Sequence, residues 1–94
     1  MKGSFDRYLE RQLKKPRVRR AFDEERAMLN IGMALTKQRK KQGLSQHEIA
    51  RRIGTSAPQI SRTERKPEHA NVHTLQRYAE AVGMRLDVRL VANR

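Results

Sequence analysis

Residues 44–66 read LSQHEIARRIGTSAPQISRTERK, and this stretch decides how the 94-residue chain folds. Ser45 stands three positions before Glu48, the spacing of a capping box, in which the hydroxyl accepts from the Glu48 amide and the carboxylate reaches back to the Ser45 amide. The spacing predicts a helix starting at Gln46. Ile49, Ala50 and Ile53 bury one side of it and leave Arg51 and Arg52 outside. Gly54 ends that helix, because glycine tolerates positive φ. Ser56 and Gln59 repeat the box two residues later, with Pro58 in the first turn, where its missing N–H costs little. Ile60 and Thr63 then face the first of the two helices.

Two short capped helices about a glycine form a helix-turn-helix. The outward residues of the second are Ala57, Gln59, Ser61, Arg62 and Arg65, a set of small, amide-bearing and guanidinium side chains suited to base edges and phosphates, and Ser56, Pro58 and Lys66 complete the expected DNA-binding set. Arg62 and Gln59 carry the base-reading weight, since Arg to guanine is the commonest specific contact and Pro58 offers only apolar contact.

The stretch resembles the helix-turn-helix of the Xre and phage-repressor family, from about Lys37 to Val82, at Arg39, Gly43, Leu44, Gln46, Ala50, Gly54, Ile60 and Glu64. The resemblance implies a mainly α, lambda-repressor-like domain that binds double-stranded DNA. It implies a phosphate contact for Gln46, base contacts for Ala57, Pro58, Gln59 and Arg62, and a structural ion pair between Arg39 and Glu64. The chain departs from the family at Thr63, where a large apolar residue is common, and at Lys66, where glycine is common. Lys66 precedes Pro67 and is thereby excluded from the α region, so the chain is expected to leave in an extended turn.

Composition agrees with a polyanion partner. The formal net charge is +12, and residues 36–66 alone hold nine Lys or Arg against two Glu, a net of +7. Ninety-four residues allow one small core and leave no room for a separate catalytic domain. No Ser/His/Asp set, phosphate-cradling glycine loop or carboxylate pair is evident, so neither enzymatic activity nor a cofactor is expected. With no cysteine there is no disulfide or thiolate metal site. His69 and His73 are four apart, but a helix starting near Val72 leaves His69 in the loop before it, and no metal is expected. No apolar run is long enough for a membrane span or a signal peptide, which makes the cytoplasm the expected location.

Outward from the motif, residues 24–42 read as the first domain helix, with Ala27, Met28, Ile31, Ala34 and Leu35 on its apolar stripe and Gly43 as its stop. Asn71 caps a last helix from about Val72 to Val82, in which Leu75, Tyr78, Ala79 and Val82 face the core, and Gly83 closes it. The domain so bounded spans residues 24–83.

In residues 84–94, Met84, Leu86, Val88 and Leu90 alternate with Arg85, Asp87 and Arg89, the period of a β-strand. A lone strand leaves its backbone unpaired. The expected partner is the same strand of a second copy, giving a homodimer across a two-fold axis and an inverted-repeat operator.

Residues 1–23 form an N-terminal arm. Phe5, Tyr8, Leu9 and Leu13 outline an amphipathic helix, Lys14-Lys15-Pro16 interrupts it, and Val18, Ala21 and Phe22 resume an apolar stripe. A short apolar face rimmed by charge is a docking element for a partner, here through Phe5, Tyr8, Leu9, Leu13, Val18 and Phe22. The arm carries eight Lys or Arg against three Asp or Glu, so it also fits an extra helix packed on its own domain or a basic arm on the DNA backbone.

The layout of an FxxYLxxxL arm, a central Xre motif and a GMRLDVRLV ending resembles HigA-type antitoxins, whose partner is a HigB toxin of the RelE-like messenger-RNA-cleaving class. The ERKPEHANVHTL stretch and the ending are also similar to HipB, the repressor paired with a HipA kinase. The arm is basic near Lys15-Pro16-Arg17, where HigA relatives commonly have acidic residues. The resemblance implies a dimeric repressor that neutralises a toxin, HigB-like rather than HipA-like, and represses its own operon. A free-standing phage-type or metabolic repressor is the alternative, followed by a basic RNA-binding or adaptor protein.

Overall fold

The computed structural model describes residues 3–93; Met1, Lys2 and Arg94, the extreme ends of arm and tail, lie outside the described residues. Five α-helices and one 3-10 turn follow in order: α1 (Ser4–Leu13), α2 (Pro16–Lys41), α3 (Gln46–Ile53), α4 (Ala57–Arg65), the turn at Pro67–His69, and α5 (Val72–Ala81). The mainly α expectation holds.

Helix starts follow local side-chain chemistry. Ser45 Oγ accepts from the Glu48 N–H at 3.1 Å, and Glu48 Oε1 accepts from the Ser45 N–H at 3.1 Å. The box at Ser56 is half-formed. Its Oγ accepts from the Gln59 N–H at 3.3 Å, but the Gln59 side chain makes no return bond among the described residues. A neutral amide lacks the charge that strengthens the return bond of Glu48. Asn71 Oδ1 accepts from the Thr74 N–H at 2.7 Å and starts α5.

Gly43, Gly54 and Gly83 all adopt left-handed φ near +70°. After α5, the Gly83 N–H donates to Glu80 O at 3.1 Å and the Met84 N–H to Ala79 O at 2.8 Å, the paired bonds of a Schellman ending. Remaining carbonyls there are met by other helices. The side chains of Gln38 in α2 and of Gln42 just past its end both donate to Val82 O, and Arg52 of α3 donates to Ala81 O.

Leu35, Ile49, Ala50, Ile53, Ile60, Leu75, Tyr78, Ala79 and Val82 form the core, with Ile31, Leu44 and Leu86 packed against it. Two departures from expectation concern α2. It begins at Pro16 and not at residue 24, running unbroken for 26 residues. Proline at the first helical position loses no intrahelical hydrogen bond, and nothing between Arg17 and Asp23 breaks the helix. Its buried face is also rotated: Gly32, Leu35 and Arg39 are buried, Met28 and Ile31 half-buried, and Ala27 and Ala34 exposed. Gly32 sets this rotation by close approach. A Cβ there would run into the Glu64 carbonyl oxygen and lie 3.3 Å from Pro67 Cδ.

Residues 84–93 form no strand, and none occurs among the described residues. The C-terminal strand expected at Met84, Leu86, Val88 and Leu90 is therefore corrected. A strand exists through its ladder, and no strand among the described residues lies beside the tail to supply one. Leu86 alone of the four packs on the core; Met84, Val88 and Leu90 are exposed.

Candidate nucleic-acid interface

Helix α4 lies across α3 with Ile60 and Thr63 buried, and Thr63 directs its hydroxyl back to Gln59 O at 2.9 Å. A β-branched hydroxyl thus fills the apolar position of the family pattern by satisfying itself within the helix. The opposite side of α4 presents Ser56, Pro58, Gln59, Arg62, Arg65 and Lys66 to solvent, with Ala57 and Ser61 half-buried at its edge. Arg65 Nε reaches back to Ser61 O at 3.4 Å, whereas Arg62 and Gln59 have no side-chain partner among the described residues. Lys66 leaves the helix at φ −135° and ψ 67°, as the following proline requires.

Beneath this face sits a polar cluster. Arg39 Nε donates to Glu64 Oε2 at 2.7 Å and Nη2 to Glu64 Oε1 at 3.2 Å, while Nη1 donates to Leu44 O at 2.9 Å. Both side chains are over 90% buried, at 9% and 7% exposure. The Tyr78 hydroxyl donates to Glu64 Oε2, and Gln46 Nε2 donates to Glu64 Oε1 at 3.1 Å. Burial pushes the Glu64 carboxyl up, but hydrogen bonds from Arg39, Tyr78 and Gln46, with the Arg39 charge, outweigh it and hold its pKa below the ordinary 4.5. The Glu64 hydrogen bond and charge raise Arg39 against its burial, and burial together with the Glu64 bond raises Tyr78. The cluster ties α2, α3 and α5 to the end of α4.

Gln46, expected to meet a phosphate, is half-buried at the first position of α3 with its amide nitrogen turned to Glu64. Nothing in the local pattern marked Tyr78 for this cluster, since its i+3/i+4 spacing with Leu75 and Val82 reads simply as core. His69, at the end of the 3-10 turn before α5, lines one hollow with Arg62, Arg65 and Lys66. No metal-binding group of His, Asp or Glu occurs among the described residues.

The arm is a second candidate surface. Helix α1 packs on α2, where Leu9, Leu13 and Val18 are half-buried, but Phe5 is 70% and Tyr8 52% exposed. Phe22 is exposed on α2, and Leu29 and Met33, seven and eleven residues on, share its side. Leu29 and Met33 escaped the sequence analysis because the stripe chosen for this helix was the neighbouring one. Phe22, Leu29, Arg65 and Pro67 line a hollow of about 420 Å³ between α2 and the end of α4. No helix of the described residues is long and apolar enough to cross a membrane.

Comparison with known proteins places these elements. The helix-turn-helix family matches residues 35–88, which include α3, α4 and α5 whole. The chain is 41% identical over 64 residues to antitoxin HigA1 of Mycobacterium tuberculosis strain CDC 1551 / Oshkosh, and to antitoxin HigA1 of strain ATCC 25618 / H37Rv to the same degree. Each alignment covers 68% of this chain and 41% of the relative, so the chain spans about two fifths of the length of the curated relatives it matches. No solved structure matches.

Proposed function

Because the chain belongs to the helix-turn-helix family, a DNA-binding and non-enzymatic family, we propose that it is a sequence-specific transcriptional repressor serving as the antitoxin of a type II toxin–antitoxin pair. The observation that carries the DNA reading is the outward face of α4, where Gln59 and Arg62 stand free on a helix whose other side is pinned by the Arg39–Glu64 pair. In this reading Arg62 and Gln59 read base edges. Gln46, Ser56, Arg65 and Lys66 meet the backbone, with Ala57, Pro58 and Ser61 allowing close approach. Arg62→Ala should relax preference at one base pair, whereas Gln46→Ala should weaken all sequences alike. Binding ratios across operator variants that Arg62→Ala leaves unchanged would remove the base-reading role.

The antitoxin role is supported by the similarity to antitoxin HigA1 and by the exposed apolar residues of the arm. Phe5, Tyr8, Leu9, Leu13, Val18 and Phe22, joined by the exposed Leu29 and Met33, would take up the toxin. A RelE-like or HigB-like toxin fits this reading better than a HipA-like kinase. Two copies would pair through the exposed apolar residues of the tail, Met84, Val88 and Leu90, and would present recognition helices to half-sites about 10 base pairs apart or a multiple of that. A free-standing repressor is the second reading, favoured by the packing of α1 on its own α2. Gentle purification from the native host with mass spectrometry separates the two. A stoichiometric small protein that arrests growth when expressed alone supports the antitoxin, and a lone DNA-binding dimer supports the free-standing repressor.

A further inference from the structure

We infer that Tyr78, buried in the core on α5, is a positioning residue for DNA binding, acting through Glu64 to hold the Gln46 side chain where it meets a phosphate. The inference rests on the DNA reading given above. Glu64 accepts four hydrogen bonds, two on each oxygen: Oε2 from Arg39 and Tyr78, Oε1 from Arg39 and Gln46. A carboxylate has about four lone-pair sites, so the group is saturated and its plane is fixed by donors from three different helices. Tyr78 is fully buried, and the Glu64 side chain is 7% exposed, so no solvent replaces a lost donor cheaply. Without the phenol, Oε2 keeps only Arg39, and the carboxylate is held by the guanidinium alone on that side, its longer bond to Oε1 at 3.2 Å being the weaker of the two, so Oε1 is less firmly fixed at Gln46.

The consequence for Gln46 is a matter of which end faces inward. A carboxylate only accepts, so the amide must turn its nitrogen to Glu64, and this orients the second N–H and the amide oxygen away from the cluster. That second N–H, at the first position of α3, is the donor offered to a phosphate. Phosphate contacts carry no sequence information, so the effect is the same on any duplex.

The test uses the full chain and a 25-base-pair duplex of arbitrary sequence at low salt, with binding followed by fluorescence anisotropy for Tyr78→Phe, Gln46→Ala and the double variant. Tyr78→Phe should weaken binding roughly two- to tenfold, and it should weaken nothing further in the Gln46→Ala background. In ¹⁵N spectra the Gln46 side-chain amide, distinct and slow-moving in the parent, should move to the position of a free glutamine in Tyr78→Phe. If Gln46→Ala weakens binding but Tyr78→Phe does not, or if the two losses multiply, Tyr78 has no positioning role while the phosphate contact stands. If Gln46→Ala binds like the parent, the phosphate contact falls and the inference with it. Should Tyr78→Phe not fold, relaxation of the Gln46 amide in the parent carries the test: motion as restricted as the backbone is expected, and free rotation overturns the inference.

Discussion

Glu64 concentrates more of this fold than any other side chain, because one carboxylate joins four helices while almost wholly buried. Removing its charge leaves Arg39 buried without a counter-ion, and breaking a buried pair costs about 3 to 5 kcal/mol. Glu64→Gln should lower unfolding free energy by that order in urea titrations, and unchanged stability would show that the pair contributes nothing net. The pH dependence has a definite sign. The folded carboxyl titrates below 4.5, so the fold favours its ionised form. That contribution is complete above the ordinary carboxylate range and is lost as pH falls through the lowered folded value. Stability of the parent should therefore decline from about pH 5 downward, and Glu64→Gln should flatten part of that slope. The Arg39–Glu64 pair was legible beforehand through family resemblance; Tyr78 and Gln46 were not legible as its partners. Their bonds depend on where α3 and α5 pack, which no spacing along the chain encodes.

Among the elements, α2 is where a single glycine decides the packing. Alanine in place of a mid-helix glycine ordinarily gains about 1 kcal/mol of helix propensity. At Gly32 the added methyl meets the backbone of Glu64 and the ring of Pro67, neither of which yields easily. Overpacking of this kind costs about 1 to 3 kcal/mol, so Gly32→Ala should be neutral to destabilising by about 2 kcal/mol in thermal or urea unfolding. A gain in stability would mean that α4 can back away from α2. Helix starts at Ser45 and Asn71 and stops at Gly43, Gly54 and Gly83 were readable because each depends on a few adjacent atoms. The start of α2 was misplaced for the opposite reason: Pro16 is as compatible with beginning a helix as with interrupting one. The alternation at residues 84–90 suggested a strand that does not form among the described residues, because alternation alone supplies no ladder.

Taken whole, the molecule is a +12 particle whose candidate surfaces are the outward face of α4 and the exposed apolar residues of α1 and α2. Its tail bears Val88 at 64% and Leu90 at 102% exposure, a state that a second copy would relieve. Deleting residues 84–94 should convert a dimer into a monomer in sedimentation experiments and weaken operator binding by roughly 10²-fold or more through lost bivalency. A truncated chain that still sediments as a dimer would place the interface elsewhere. Helix α2 links the two surfaces without a joint. Its 26 residues make a rod of roughly 39 Å, and a rod transmits bearing as well as distance. Whatever sits on the far half keeps a fixed azimuth about the helix axis relative to α4, and so relative to the screw of any duplex that α4 enters. One residue added near Glu24 would turn that azimuth by about 100°, facing the arm's cargo in a new direction while leaving the core and the Glu64 cluster in place.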